Sequence, residues 1–116
     1  MMTPEELTLV CAAEELEIAA RRWTPIWVVC VGAHPYVRSW YRRDTGWFAH
    51  VLKAGRAAVR VPGLQIDVTV EDIGALPAGL RSDIDAAYRT KYGRYGAGGV
   101  GPMVTDAAAA TTLRLS

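Results

Sequence analysis

Hydrophobic and polar positions change period several times along the chain, and each change marks an element. Thr3-Pro4-Glu5-Glu6 is a helix start: Thr3 can cap, Pro4 suits the first helical position, and Glu6 completes a capping box. Leu7, Val10, Cys11 and Glu14 then share one mostly apolar face, which predicts a short covering helix over residues 3–14. From Glu15 the period drops to two. Leu16, Ile18 and Ala20 alternate with Glu17, Ala19 and Arg21, the pattern of a half-buried strand. Pro25 precedes Ile26 to Val31, an unbroken β-branched and aromatic run expected of a strand covered on both faces. Gly32-Ala33-His34-Pro35 predicts a turn, and Tyr36 to Tyr41 the returning strand. Trp47, Phe48, Val51 and Leu52 recur at helical spacing, with Gly55 as the stop.

The next hairpin is the clearest local pattern. Arg56 to Val61 and Leu64 to Val70 both alternate around Pro62-Gly63, which would place Val61 opposite Leu64, Arg60 opposite Gln65 and Ala58 opposite Asp67. Val59, Val61, Leu64, Ile66, Val68 and Val70 then face inward together. Ser82 is the expected cap of a further helix carrying Ile84, Ala87, Tyr88 and Tyr92, in which Asp85 can pair with Arg89. Gly93 ends that helix, and the glycine-rich stretch that follows predicts a flexible loop over 93–103. The tail is open between a helical turn at its alanines and a final strand at Thr111 to Leu115. The result is a single domain over 1–116, mainly β. Its expected architecture is a small antiparallel split β-barrel of five to six strands with helices at the rim, because closure removes exposed edges.

Composition narrows the function classes. The chain has 116 residues, 51% hydrophobic and 22% charged, with 13 Lys and Arg against 12 Asp and Glu, which argues against disorder. A formal charge of +1 supplies no field to draw in nucleic acid or an anionic membrane. The acidic start lacks the basic region of a secretory signal, and the longest apolar run falls well short of the ~20 residues of a membrane helix. A cytoplasmic protein follows, without a membrane or nucleic-acid partner. Cys11 and Cys30 stand at unrelated positions and are expected as small buried apolar residues, in neither a metal motif nor a disulfide framework.

Thr24-Pro25-Ile26-Trp27-Val28-Val29, Tyr36-Val37-Arg38-Ser39, the Trp47 helix and the Arg56 to Val70 hairpin together resemble the split-barrel flavin-binding proteins. That group includes pyridoxamine-phosphate oxidases and deazaflavin-dependent nitroreductases. More narrowly, Ala87 to Gly93 with Met103-Val104 and Thr111 to Leu115 looks like an uncharacterised bacterial family, domain of unknown function 2255. The resemblance covers roughly residues 14 to 115. It implies a homodimer with FMN or deazaflavin in a groove at the subunit interface, and an oxidoreductase acting on a small-molecule ligand. Phosphate would be held by Arg21, Arg22, Thr24, Arg38 and Ser39, with Trp40 and His50 near the ring. The deazaflavin relatives bind phosphate on an Arg/Lys-Ser-Gly turn. The matching turn here, Arg21-Arg22-Trp23-Thr24-Pro25, keeps the arginines and Thr24 but lacks the Ser-Gly.

The residue types are compatible with that chemistry and with plainer roles. Fork-shaped arginine donors suit a phosphate, yet arginines at these positions also serve as surface ion pairs. Arg42 and Arg43 before the Trp47 helix could meet an anion at its N-terminus, or be solvated while Asp44 caps. Trp27 and Trp47 are expected in the core, whereas Trp23 and Trp40, at element ends, suit a pocket or interface. His34 and His50 have no second ligand at metal spacing. An alternative is a non-redox protein that binds a small anion on the same barrel without flavin.

Overall fold

The computed structural model describes residues 2–39 and 46–116. The elements run α1 (Pro4–Ala12), β1 (Leu16–Ala19), β2 (Thr24–Ile26), β3 (Val29–Val31), β4 (His34–Val37), α2 (Gly46–Ala54), β5 (Arg56–Val61), β6 (Leu64–Asp72), α3 (Ala78–Tyr92), α4 (Gly96–Val100), α5 (Asp106–Ala109) and β7 (Leu113–Leu115). The fold is mainly β, as the periodicity predicts, but with seven strands among the described residues rather than five or six. They form one sheet in the order β2-β1-β5-β6-β7-β4-β3, with every pairing antiparallel. The added strands come from dividing the 26–31 run at Trp27-Val28 and from ordering the tail as both α5 and β7.

The sheet curls for a topological reason. β2 and β3 lie at its opposite ends, yet only Trp27 and Val28 separate them in sequence. The sheet must therefore bend until its ends meet, giving a half-barrel. Long β6 allows the bend by changing partners, pairing with β5 from Leu64 to Thr69 and with β7 from Val70 to Asp72.

The β5–β6 register is the expected one throughout. Inside the curl, Val59, Val61, Val68 and Val70 pack with Leu16, Ile18, Ile26, Val28, Val37, Leu113 and Leu115, and α2 closes one side with Phe48 and Val51. A second cluster lies on the outer face of β3 and β4, where Val29 and Tyr36 meet Ile84, Tyr88 and Tyr92 of α3. Val28 and Val37 thus point into the barrel while Val29 and Tyr36 point out to α3, so both faces of this half are covered.

Several local expectations are corrected. The β3–β4 turn is only Gly32-Ala33, with φ of 57° and 68°, and His34 and Pro35 belong to β4. Two successive positive φ values match the right-handed twist of the strands, so the tight turn wins over the longer one. Helix α3 starts at Ala78 after Pro77, so Ser82 is interior rather than a cap. The stretch expected as a loop after Gly93 forms helical turns instead, a 3-10 turn over Gly93–Tyr95, α4, and a second over Gly101–Met103. Burial of Val100 and Met103 against the α3 cluster outweighs the low helix propensity of its glycines.

Cys11 and Cys30 are joined in a disulfide, not held as separate apolar residues. Sequence spacing hides this, because α1 and β3 meet only through the curl of the sheet. Among the described residues no helix is long and apolar enough to cross a membrane.

Candidate functional site

The end of α3 clamps the place where the sheet's two ends meet. The Tyr92 hydroxyl accepts from the Val28 N–H at 3.0 Å and donates toward the carbonyls of Glu14 and Val28, at 2.8 and 2.9 Å. Lys91 donates to the carbonyls of Val28, 2.7 Å, and Cys11, 3.1 Å. Burial lowers the Lys91 pKa from its ordinary value. Burial likewise raises the Tyr92 phenol to about 12 and the Tyr88 phenol further. Trp27, in the gap between β2 and β3, stacks on Tyr92 with centroids 4.1 Å apart and planes 4° from parallel.

Beside this joint lies a cavity of about 610 Å³. That volume is within the range of small-molecule sites. Trp27 and Trp47 form aromatic walls, Ile26, Arg38, Ser39 and Met103 are its buried lining, and Glu15, Pro25, Gly46, Gly98 and Pro102 form an exposed rim. Thr24 and Gly99 complete it. Gly99 is there for a steric reason: a Cβ would stand 2.9 Å from Tyr95 Cβ and 3.7 Å from Trp27 Cη2. At Gly98 an added Cβ meets nothing within 4 Å.

Arg38 is the most buried charge in this wall, at 1% exposure. It follows β4 on the side facing α3, as Tyr36 does. Its Nε donates to Thr112 Oγ1 at 2.9 Å, and its Nη1 to Asp85 Oδ1 at 2.6 Å and to the Met103 carbonyl at 2.9 Å. Asp85 in turn has Arg81 Nε at 3.4 Å, and Arg81 reaches the exposed Asp106 at 2.6 Å. The charge of Arg38 is thus matched, and one nitrogen, Nη2, remains buried with no hydrogen-bond partner. The Tyr88 hydroxyl in the same layer is likewise buried without a hydrogen-bond partner. Asp85 pairs with Arg81 and Arg38, not with the expected Arg89, because α3 presents the Asp85 side to β4 and leaves Arg89 exposed.

Of the residues expected at a cofactor site, the structure brings Thr24, Arg38 and Ser39 together around the cavity. Arg21 and Arg22 are exposed on the β1–β2 turn, and His50 is exposed on α2; none of the three is in the cavity lining. Trp40 lies outside the described residues, as do Arg42, Arg43 and Asp44, although Ser39 and Gly46 on either side both line the cavity. Of the described tryptophans, Trp47 and Trp27 pack against the two core clusters as expected, but they reach the cavity as well. Trp27 and Trp47 wall the cavity, while Trp23 sits under Arg60, whose Cζ is 4.1 Å from the ring centroid.

Asp85, Gly98, Gly99 and Met103 escaped the sequence reasoning. Asp85 carried a usable signal, since an acidic residue within the stripe of Ile84, Tyr88 and Tyr92 requires a buried cation. Among the described residues no group of three or more His, Cys, Asp or Glu could hold a metal ion.

Residues 4–115 match a protein family described as "Uncharacterized protein conserved in bacteria (DUF2255)". No curated protein matches the chain.

Proposed function

Since the chain belongs to this uncharacterised bacterial family, whose description assigns no activity, we propose a function from the cavity itself: it binds a flat heteroaromatic cofactor, FMN or a deazaflavin. The observation that carries the proposal is a cavity of ligand size, walled by Trp27 and Trp47 and lined by Thr24, Arg38 and Ser39. Aromatic and apolar walls with few polar groups suit a flat ring. Trp27, Trp47, Ile26 and Met103 would hold the ring and exclude water from it, Thr24 and Ser39 would meet its polar atoms, and buried Arg38 would hold the wall behind them. Bound flavin supplies hydride transfer, which would make the protein an oxidoreductase acting on a small molecule. In this proposal the protein is a homodimer, with the second copy closing the rim at Pro25, Gly46 and Gly98.

A second reading, a non-redox binding protein on the same half-barrel, draws support from Arg21 and Arg22. Outside the lining, they provide no phosphate cradle among the described residues. The Cys11–Cys30 disulfide also favours an oxidising compartment over the cytoplasm expected from the sequence.

Titration of the purified protein with FMN, riboflavin and a deazaflavin, followed by tryptophan quenching, separates the two. Flavin binding should be saturable and should disappear in Gly98→Leu, which fills open space without a clash at Cβ. A colourless protein that quenches with none of the three, yet gains thermal stability with other small molecules, would overturn the flavin proposal in favour of the non-redox one.

A further inference from the structure

The Cys11–Cys30 disulfide joins the last turn of α1 to the middle of β3. Both elements are lightly held. Of α1, Val10 alone is buried, and β3 is an end strand that pairs only with β4. Two cavity residues lie just inside the loop that the bond closes: Glu15 soon after Cys11, and Trp27 shortly before Cys30. Trp27 belongs to neither β2 nor β3, so its place depends on its stack against Tyr92 and on the joint around it. Both cysteines are half-buried rather than sealed in the core.

We propose that this disulfide is a redox-operated clasp on the cavity. A dithiol reductant opens it, Trp27 and Glu15 are loosened, and ligand affinity falls while the rest of the chain stays folded. The inference rests on the cavity being a small-molecule site, but not on the ligand being a flavin.

The exchange is balanced. A thiolate of the dithiol attacks the Sγ of one cysteine, and the other cysteine leaves as a thiolate and takes up a proton. The second thiol of the reductant then displaces the first cysteine, so one S–S bond is broken in the protein and one is formed in the reductant. Two electrons pass to the protein.

Two features make the opening local. Lys91 bridges the carbonyls of Cys11 and Val28, and the Tyr92 hydroxyl meets those of Glu14 and Val28, so hydrogen bonds still span the joint without the covalent bond. The buried valines of β5 and β6 and the Arg38–Asp85 pair lie outside residues 11–30, and β1 stays paired with β5. Affinity falls because a wall that is ordered beforehand binds without an ordering cost, whereas a loosened one must be ordered by the ligand.

The test compares ¹⁵N–¹H spectra of the full chain before and after excess dithiothreitol without denaturant, with free thiols counted. Reduction should go to completion and move the Trp27 indole signal and the α1 amides. The amides of residues 56–70 should stay in place, and oxidised glutathione should reverse the change. Riboflavin, used as the probe, should bind the reduced chain at least about tenfold more weakly than the oxidised one. Four results would each overturn the proposal: a bond that dithiothreitol does not open, a reduced chain whose Trp27 and α1 signals have not moved, equal riboflavin affinity in both forms, or collapse of the whole spectrum. If riboflavin binds neither form while Trp27 and α1 respond, the flavin proposal falls and the clasp stands.

Discussion

The β5–β6 hairpin and the contact between β4 and α3 both bury their inner faces, but with different chemistry. The hairpin uses Val59, Val61, Val68 and Val70, with no charged group inside. The β4–α3 contact buries Arg38, Asp85, Thr111 and Thr112 among Tyr36, Tyr88 and Tyr92. In the hairpin each side chain contributes the transfer of its own apolar surface, and a truncation leaves a cavity but no orphaned polar group. In the β4–α3 contact Arg38 alone holds Asp85, Thr112 and the Met103 carbonyl, so its loss strands several partners in a dry environment. The hairpin is thus a scaffold whose parts are nearly independent, and the polar layer is a network centred on Arg38.

Perturbing the two regions should expose this asymmetry. Arg38→Met leaves Asp85 buried with only Arg81 beside it, and should cost about 3–5 kcal/mol in urea denaturation. The cost should fall well below that when Asp85→Asn is added, because the second change removes the stranded charge. Additive losses would mean that the pair behaves like the hairpin. Next comes the disulfide. Cys11→Ser with Cys30→Ser opens a loop with a sequence separation of 19 and should lower stability by about 3 kcal/mol. Glu15, Thr24, Pro25, Ile26 and Trp27 all lie inside that loop, so ligand affinity should weaken alongside stability. Val59→Ala in the hairpin should cost about 2 kcal/mol and leave the cavity's ligand affinity unchanged. Gly99→Ala should cost about 1–2 kcal/mol, since the contact with Tyr95 Cβ outweighs the gain in helix propensity. It should also perturb Trp27 fluorescence, whereas Gly98→Ala should not lower stability.

The same asymmetry decides what could be read from the sequence. In the hairpin, alternation specifies the buried face and Pro62-Gly63 specifies the register, both through local chemistry, and the structure follows them residue for residue. Around Arg38 the decisive facts are non-local. Helical spacing offers Asp85 a partner at either Arg81 or Arg89, and only the packing of α3 on β4 selects Arg81. Arg38, Ser39 and Thr24 could be nominated from the resemblance to the split-barrel proteins together with their residue types. Their meeting point with Gly98, Gly99 and Met103 could not, because burial of Val100 and Met103 folds a stretch whose composition indicates a loop. Trp27 sits in a run that appears continuous, and the break beside it exists because the sheet's ends must join there.

The smallest effect, and the sharpest difference between the two regions, lies in alkaline solution. The hairpin's buried residues Val59, Val61, Val68 and Val70 carry no titratable group, so their contribution to folding does not depend on pH. The α3 contact holds two phenols whose pKa values burial raises above the ordinary value near 10, Tyr92 to about 12 and Tyr88 beyond it. Below pH 10 each phenol is protonated in both folded and unfolded chains, and its burial contributes in full. As pH rises from 10 toward 12 the unfolded chain loses protons that the folded chain retains, so stability must fall. For Tyr92 alone the loss is on the order of 1 kcal/mol by about pH 11. Lys91 acts in the opposite sense, since its pKa is lowered in the folded chain. Between that lowered value and 10.5 the unfolded chain binds the extra proton, and raising the pH favours folding. Stability should therefore pass through a shallow maximum before the phenols take over. Tyr92→Phe gives up the hydroxyl's bonds to Val28 and Glu14 at neutral pH, but should flatten the decline above pH 10. Urea midpoints measured at closely spaced pH values test this, and an alkaline slope unchanged in Tyr92→Phe would place the pH sensitivity away from the joint where the sheet closes.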